Sequence, residues 1–118
     1  MAQIRPFPGI RAREDLASAV IAPPYDVLSE AEARAIAAAK PQSFIHVTRS
    51  EVALPEGSDS HSPAVYDMAR QQLLRLLDEG ALVQEDVPCF YLYSQRMGRH
   101  EQHGLMATCS VAEYDAGK

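Results

Sequence analysis

The chain has 118 residues, of which 47% are hydrophobic and 23% charged, a composition typical of a small folded domain and not of a disordered chain. Its formal net charge is −5, and its 11 basic residues are scattered, which argues against nucleic-acid binding because such binding depends on neutralising phosphates. The sequence contains no apolar run near the roughly 18 residues of a membrane span, and Met1–Pro6 has no hydrophobic signal core, so we expect a cytoplasmic protein.

Two short strands are predicted before the prolines at positions 23 and 24. Ile4–Phe7 is an apolar stretch that ends at Pro8 and Gly9, and Ala19–Ala22 is another that follows a polar segment. Short apolar runs bounded by polar or turn-forming residues are typical of strands.

Ser29 begins the first predicted helix. Glu32 follows three residues later, a spacing typical of a capping box, in which each side chain binds the other residue's backbone amide. The alanine-rich sequence then favours a helix to about Lys40, and Pro41 ends it.

Ser43–Arg49 is predicted to be a strand, because β-branched and aromatic residues are frequent in it. Alternation would place Phe44, His46 and Thr48 on one face. The next segment, Ser50–His61, has no apolar periodicity and contains turn-forming residues, so it is predicted to be a surface loop.

Ser62 and Pro63 begin a second, longer helix, since serine is a good N-cap and proline is tolerated at the first helical position. Gly80 ends it. Apolar residues recur at helical spacing on one stripe, which predicts a face packed on the core. The stripe consists of Val65, Ala69, Leu73, Leu76 and Leu77.

A C-terminal β-hairpin is predicted, with strands Pro88–Met97 and Glu101–Val111 joined by a two-residue turn at Gly98–Arg99. The last residues, Glu113–Lys118, predict a further turn. The two-residue turn of the hairpin also sets its register. The expected pairs are Met97 with His100, Leu92 with Leu105, Phe90 with Ala107 and Cys89 with Thr108.

Together the elements predict a mixed α/β (α+β) domain over residues 1–118, with a small mixed sheet, two main helices and this hairpin. Strand order and oligomeric state do not follow from the sequence.

The cysteines and most histidines give no sign of a metal site. Cys89 and Cys109 lack metal-ligand spacing, and we interpret them as small buried hydrophobic residues that form no disulfide. His61, His100 and His103 lie in a predicted loop or near the hairpin tip, where an imidazole is usually solvated. We therefore expect no bound metal in this chain.

The segment Ala22–Val27 is the most informative part of the sequence. Pro23 and Pro24 restrict the backbone to an extended arm, which would hold Tyr25 and Asp26 with little freedom. Such an arm suits a binding site. The alternative is structural: the prolines end a strand, and Asp26 satisfies nearby backbone amides.

His46 and Arg49 admit two interpretations. His46 is either a core histidine with satisfied hydrogen bonds or, at the end of the predicted strand, part of a ligand site in which Arg49 grips a phosphate or carboxylate. The sequence has no glycine-rich phosphate loop and no nucleophile elbow. A nucleotide, if bound, would therefore have to be held by another type of binding motif.

Several blocks of the sequence resemble the amino-terminal part of the bacterial and archaeal "domain of unknown function 1015" family. They are Ile4–Arg11, Ala22–Val27, Phe44–Arg49, and Glu79–Leu82 followed by Tyr91–Tyr93, and they cover almost the whole chain. Members of that family are longer, and the next expected block contains a His-Glu motif followed by a basic stretch. The resemblance therefore implies a fragment of a larger protein, inactive by itself.

The family is itself similar to the ParB and sulfiredoxin-like group, whose relatives include nucleotide-dependent kinases that act on free serine. The resemblance implies that the full-length protein is a phosphotransferase that uses ATP or ADP with magnesium and acts on a small metabolite such as serine. Its partners would be a nucleotide or a small anionic metabolite, and Asp26 is the candidate catalytic residue. We expect the fragment alone to bind neither the nucleotide nor magnesium. The alternative is a non-catalytic module that binds a small ligand or a protein. The implied ligand-binding residues are Arg5, Pro23, Pro24, Tyr25, Asp26, His46 and Arg49.

Overall fold

A computed structural model describes residues 3–117; Met1, Ala2 and Lys118, which belong to the predicted start and end of the domain, lie outside the described residues. The described part forms two compact units. The helical unit comprises Arg11–Val83, and the hairpin unit comprises residues 3–10 and 84–117. The mixed α/β fold class is confirmed. A single domain over residues 1–118 stays a prediction.

In the described residues, two short strands are followed by a run of helices, then by four strands and a last short helix. The helices are α1 (Ala17–Val20), α2 (Glu30–Ala39), α3 (Ile45–Thr48), α4 (Pro63–Asp78) and α5 (Val111–Asp115), with 3-10 turns at Glu14–Leu16, Tyr25–Val27 and Ser50–Ala53. The strands are β1 (Ile4–Arg5), β2 (Ile10–Ala12), β3 (Leu82–Gln84), β4 (Tyr91–Met97), β5 (His100–Met106) and β6 (Thr108–Cys109). They pair as β1–β6, β2–β3 and β4–β5. The predicted single sheet is therefore replaced, in the described residues, by three two-stranded sheets.

The capping box at the start of α2 is confirmed. The Glu32 amide donates to Ser29 Oγ at 3.1 Å, and the Ser29 amide donates to Glu32 Oε1 at 3.2 Å. The helix ends with Ala39, and Lys40 is its C-cap, as predicted.

The core-facing stripe of α4 is also confirmed. Val65 and Leu76 are buried, and the other three residues of the stripe are partly buried. Ser62 is the N-cap and Pro63 is at the first position, although the Ser62 side chain makes no capping hydrogen bond. The main cluster of buried residues consists of Val20, Leu76, Ala81 and Leu82.

The predicted strand at Ala19–Ala22 is wrong, because its first half belongs to α1 and Ile21 is the C-cap of that helix. The amide of Ile21 donates to the carbonyl of Ala17 at 3.0 Å, which closes a helical turn and points Val20 into the core. An apolar run of four residues fits a single helical turn as well as it fits a strand.

The predicted strand at Ser43–Arg49 is wrong as well. The segment contains α3, and Ser43 fixes its start: its buried hydroxyl accepts the Ile45 amide at 3.2 Å. Phe44 and Val47, three residues apart, pack against the same cluster. The loop predicted from Ser50 begins with a 3-10 turn in which Ser50 is buried, and only the rest of it is a loop.

The hairpin and its register are confirmed. Met97 pairs with His100 and Leu92 with Leu105, and Gly98 has a φ of 61°, which favours glycine. The ladder stops at the pair of Tyr91 and Met106, so the predicted pairs at Phe90 and Cys89 do not form.

Two further predictions for the hairpin unit are corrected. Cys89 forms a bridge with Phe7, while Thr108 pairs with Arg5. Both thiols are free, and Cys109 is exposed instead of buried. The predicted C-terminal turn is instead α5, which Ser110 caps by accepting the Glu113 amide at 3.3 Å.

Candidate functional site

The diproline arm is extended only as far as Pro24, which has φ −55° and ψ 141°. A single 3-10 turn follows, in which the Val27 amide donates to the Pro24 carbonyl at 3.3 Å. The prolines therefore link α1 to this turn and do not end a strand. Pro23, Pro24, Tyr25 and Asp26 are all exposed, and the Tyr25 side chain retains 64% of its accessible surface.

The Arg49 side chain holds the arm by hydrogen bonds to backbone carbonyls of the arm and the turn after it. Its Nη1 donates to the carbonyl oxygens of Tyr25 at 3.0 Å and Leu28 at 2.8 Å. Its Nε donates to Glu51 Oε1 at 2.5 Å, a short ion pair whose side chains are only 15% and 12% exposed. The guanidinium thus fixes both sides of the 3-10 turn that carries Tyr25 and Asp26.

Tyr25 and Arg49 line one cleft of about 360 Å³ in the helical unit. Its other walls come from the end of α3, the turn that follows it, the loop before α4 and the first turns of α4. Ser50 joins two of these walls, because its buried hydroxyl donates to the Val65 carbonyl at 2.8 Å. The remaining lining residues are Val47, Thr48, Glu51, Ser60, His61, Tyr66 and Ala69.

The hydrogen-bonding capacity of Arg49 is only partly used. Among residues 3–117, Nη2 has no hydrogen-bond partner, and no side-chain nitrogen or oxygen in that part of the chain is buried without one. The two N–H groups of Nη2 are therefore accessible. Arg49 is also one of the residues that line the cleft.

The loop before α4 brings polar groups to the same cleft. Asp59 accepts the His61 amide at 2.9 Å, and Ser60 Oγ lies 3.2 Å from Nδ1 of His61. Tyr66, on α4, is 60% exposed. The cleft therefore combines a cation with hydroxyl and imidazole groups.

His46 lies in another hollow, of about 450 Å³, which Arg34 and Arg75 also line. Its Nε2 is 3.1 Å from the Lys40 carbonyl, a contact that fits the structural interpretation. The two arginines form ion pairs, Arg34 with Glu30 and Arg75 with Glu79. Hydrogen bonds from Arg34 hold the pKa of Glu30 below its ordinary value. Every guanidinium nitrogen of these two arginines already has a hydrogen-bond partner, unlike Nη2 of Arg49.

The structure thus groups only part of the predicted site. Tyr25 and Arg49 share a cleft, Asp26 lies beside it without lining it, and His46 is elsewhere in the same unit. Arg5 belongs to the hairpin unit. Whether these residues bind a ligand stays a prediction.

Sequence reasoning missed several residues of the cleft. The predicted ligand-binding residues do not include Glu51, Ser60, His61 or Tyr66, which line the cleft. Tyr66 lies outside the apolar stripe of α4, and an exposed aromatic residue off the core face is the one signal that would have found it. In residues 3–117, no three His, Cys, Asp or Glu side chains are grouped so that they could hold a metal. Nor is any helix there long and apolar enough to span a membrane.

The fold and cleft define a mixed α/β protein with a pocket that is lined by both apolar and polar side chains, among them Arg49 and Glu51. The chain belongs to the DUF1015 family: the family model described as "Protein of unknown function (DUF1015)" matches residues 4–118. No curated protein and no solved structure matches the chain. The likeness to the ParB and sulfiredoxin-like group stays a prediction.

Proposed function

We propose that the cleft beside Arg49 binds a small anionic metabolite. The observation that carries this proposal is the unused Nη2 of Arg49, held in a fixed position because the other nitrogens bind Tyr25, Leu28 and Glu51. A guanidinium whose orientation is already fixed loses little entropy when it binds a carboxylate or phosphate.

The size and charge of the cleft narrow the ligand class. A volume of about 360 Å³ lies at the small end of the range of about 300–1,000 Å³ typical of ligand sites. Glu51 offsets much of the charge of Arg49, which favours a ligand with one anionic group over a polyphosphate. Tyr25, Ser60 and Tyr66 supply hydroxyls that suit the oxygens of a phosphate monoester or a hydroxy acid.

Thermal-shift and calorimetric titrations test this proposal. The probes are glycerol 3-phosphate, serine O-phosphate and AMP, each compared with its dephosphorylated counterpart. Glu51→Gln should tighten binding of a phosphate monoester about threefold to tenfold, as expected when one charge about 5 Å from the anion is removed in partly solvated surroundings. His46→Gln, in the other hollow, is the matched control and should leave affinity unchanged. Equal binding by the wild type and Glu51→Gln would refute the assignment.

A second candidate function is phosphoryl transfer from ATP or ADP, with magnesium, to a small hydroxylated metabolite such as free serine. One observation favours it: the exposed Asp26 carboxylate, next to Tyr25, has no hydrogen bond or ion pair with any of residues 3–117. A free carboxylate at the rim of an anion cleft suits the role of a magnesium ligand or general base, and phosphoryl transfer depends mainly on such positioning.

The transfer reaction has a separate test. The full-length protein, because the chain alone is expected to be inactive, is incubated with ATP or ADP, magnesium and serine, and phosphoserine is measured. Asp26→Asn should abolish product while leaving the affinity for phosphate monoesters intact, since Asp26 does not line the cleft. If wild-type protein forms no phosphoserine, the serine-kinase version is rejected and the binding proposal stands on its own titrations.

A further inference from the structure

A second polar cavity lies entirely within the hairpin unit. β1 pairs with β6 so that Arg5 is opposite Thr108. Directly opposed residues of an antiparallel pair project to the same face, and side chains alternate along each strand. Gln3 and Ser110, two residues away from these, therefore share the face of Arg5 and Thr108.

The helix α5 brings a carboxylate to this face. Ser110 Oγ accepts the Glu113 amide at 3.3 Å, and the Gln3 amide donates to Glu113 Oε2 at 3.1 Å. The first bond holds the Glu113 backbone at the start of α5, and the second holds its side chain beside Gln3. The resulting cavity measures about 340 Å³ and is lined by Gln3, Arg5, Thr108, Cys109, Ser110 and Glu113.

Two opposite charges line this cavity without neutralising each other. The Arg5 side chain has no hydrogen bond or ion pair in the described residues, and Glu113 is not within ion-pair distance of it. Glu113 Oε1 likewise has no partner there, because only Oε2 accepts the Gln3 amide. The cavity therefore presents a free guanidinium and a free carboxylate oxygen to the same space.

From this arrangement we infer that the cavity binds a small zwitterion, an α-amino acid. Its carboxylate pairs with Arg5, whose guanidinium offers parallel donors, and its ammonium group donates to Glu113 Oε1. A phosphate dianion is disfavoured because Glu113 would repel it. The inference depends only on the hairpin unit, so it holds whether or not the cleft beside Arg49 binds an anion.

Calorimetric or NMR titration of the protein with L-alanine and L-serine tests the inference. Two matched probes each lack one charge: alaninamide has no carboxylate, and lactate has no ammonium group. Alanine and serine should bind, and both matched probes should bind at least about tenfold more weakly, as expected when one charged hydrogen bond is lost. Glu113→Gln should weaken alanine binding to a similar degree while still accepting the Gln3 amide. Arg5→Gln should do the same.

Thermal melts of both variants show that they remain folded, and glycerol 3-phosphate titrations should give the same affinity in Arg5→Gln as in the wild type. If lactate binds as well as alanine and Glu113→Gln has no effect, the cavity is a simple anion site and the inference is wrong. Absence of any binding by alanine or serine also overturns it. Both results leave the proposal for the Arg49 cleft untouched, because that proposal depends on the separate phosphate titrations.

Discussion

Gly9 is in contact with the side chain of Tyr91. The Gly9 amide donates to the Tyr91 hydroxyl at 2.6 Å, and that hydroxyl donates to the Phe7 carbonyl at 3.2 Å. The rings of Phe7 and Tyr91 are also in contact, with centroids 5.0 Å apart. A Cβ atom at Gly9 would lie 2.6 Å from the same hydroxyl oxygen, so the ring could make room only by giving up these contacts.

Gly9→Ala should therefore lower the free energy of unfolding by about 1–3 kcal/mol, the usual cost of overpacking. Urea denaturation followed by the tyrosine signal in near-ultraviolet circular dichroism measures it. The substitution should cost less in a Tyr91→Ala background, where the hydroxyl and the ring carbons that would clash are gone. An equal cost in both backgrounds would show that Tyr91 is not the obstacle.

Arg49 supports the arm in a way that lysine cannot reproduce, because one ammonium group does not match the fork that spans two carbonyls and Glu51. Arg49→Lys should therefore increase amide hydrogen exchange of residues 25–28 by about fivefold to thirtyfold, which corresponds to about 1–2 kcal/mol of lost hydrogen bonding. Arg70→Lys is the control, since Arg70 makes only an exposed contact of 3.8 Å with Asp67. Unchanged exchange in Arg49→Lys would contradict the bracing role.

The helix α2 carries a carboxylate whose protonation opposes folding. Arg34 donates to Glu30 at 2.9 and 3.2 Å, which lowers the pKa of Glu30. The stabilisation is complete above the pKa of a glutamate in the unfolded chain, about 4.3, and is lost as the pH falls through the lower pKa of the folded state.

Below about pH 4.5, the melting temperature should therefore fall more steeply for the wild type than for Glu30→Gln. Melts between pH 3 and pH 7 measure the difference. Glu56→Gln, at an exposed loop position, serves as control and should follow the wild type. Parallel curves for the wild type and Glu30→Gln would show that the ion pair contributes no pH dependence.

Elements with strong local signals were predicted correctly from the sequence. The capping box at Ser29, the serine–proline start of α4 and the glycine-first turn at Gly98 each specify a boundary through their own backbone chemistry. Ala19–Ala22 has no such signal, and in Ser43–Arg49 only the Ser43 hydroxyl marks a helix start, within a run of β-branched and aromatic residues that favours a strand. Their conformation depends on tertiary contacts, such as the hydrogen bond of 2.8 Å from the Phe44 amide to the Val20 carbonyl.

The residues of the candidate site were likewise predictable only where a local sequence motif marked them. The diproline motif pointed to Tyr25, and the arginine after an apolar run pointed to Arg49. Glu51, Ser60 and Tyr66 join them only because a turn, a loop and α4 converge in space. His46 was grouped with Arg49 on the assumption of a strand; in the helical segment that actually forms, the two side chains line different hollows.

The buried apolar residues of the described chain all lie in the helical unit. In the hairpin unit, large apolar side chains remain exposed on β4 and β5, and Leu92 and Met97 each keep 84% of their accessible surface. Two-stranded ribbons without a covered face are only marginally stable. The buried set is Val20, Ala33, Ile45, Val65, Leu76, Ala81 and Leu82.

Hydrogen exchange should therefore be faster in β4 and β5 than in the buried turns of α4, by about tenfold to a hundredfold. Mass spectrometry of the intact protein over minutes to hours measures this difference, and β1–β6 should exchange as fast as the hairpin. Equal protection in the hairpin and α4 would show that another surface covers the exposed apolar residues.

Arg49 has one further consequence, because a single side chain both secures the arm and faces the cleft. Under the proposed function, ligand affinity and the order of the arm are linked, and such linkage is reciprocal. A partner protein that bound the exposed Pro23 and Pro24 would change the affinity of the cleft for the metabolite by some factor. The metabolite would change the affinity of the chain for that partner by the same factor. On this proposal, the diproline segment is a surface site at which a bound partner would change the affinity of the cleft for its ligand.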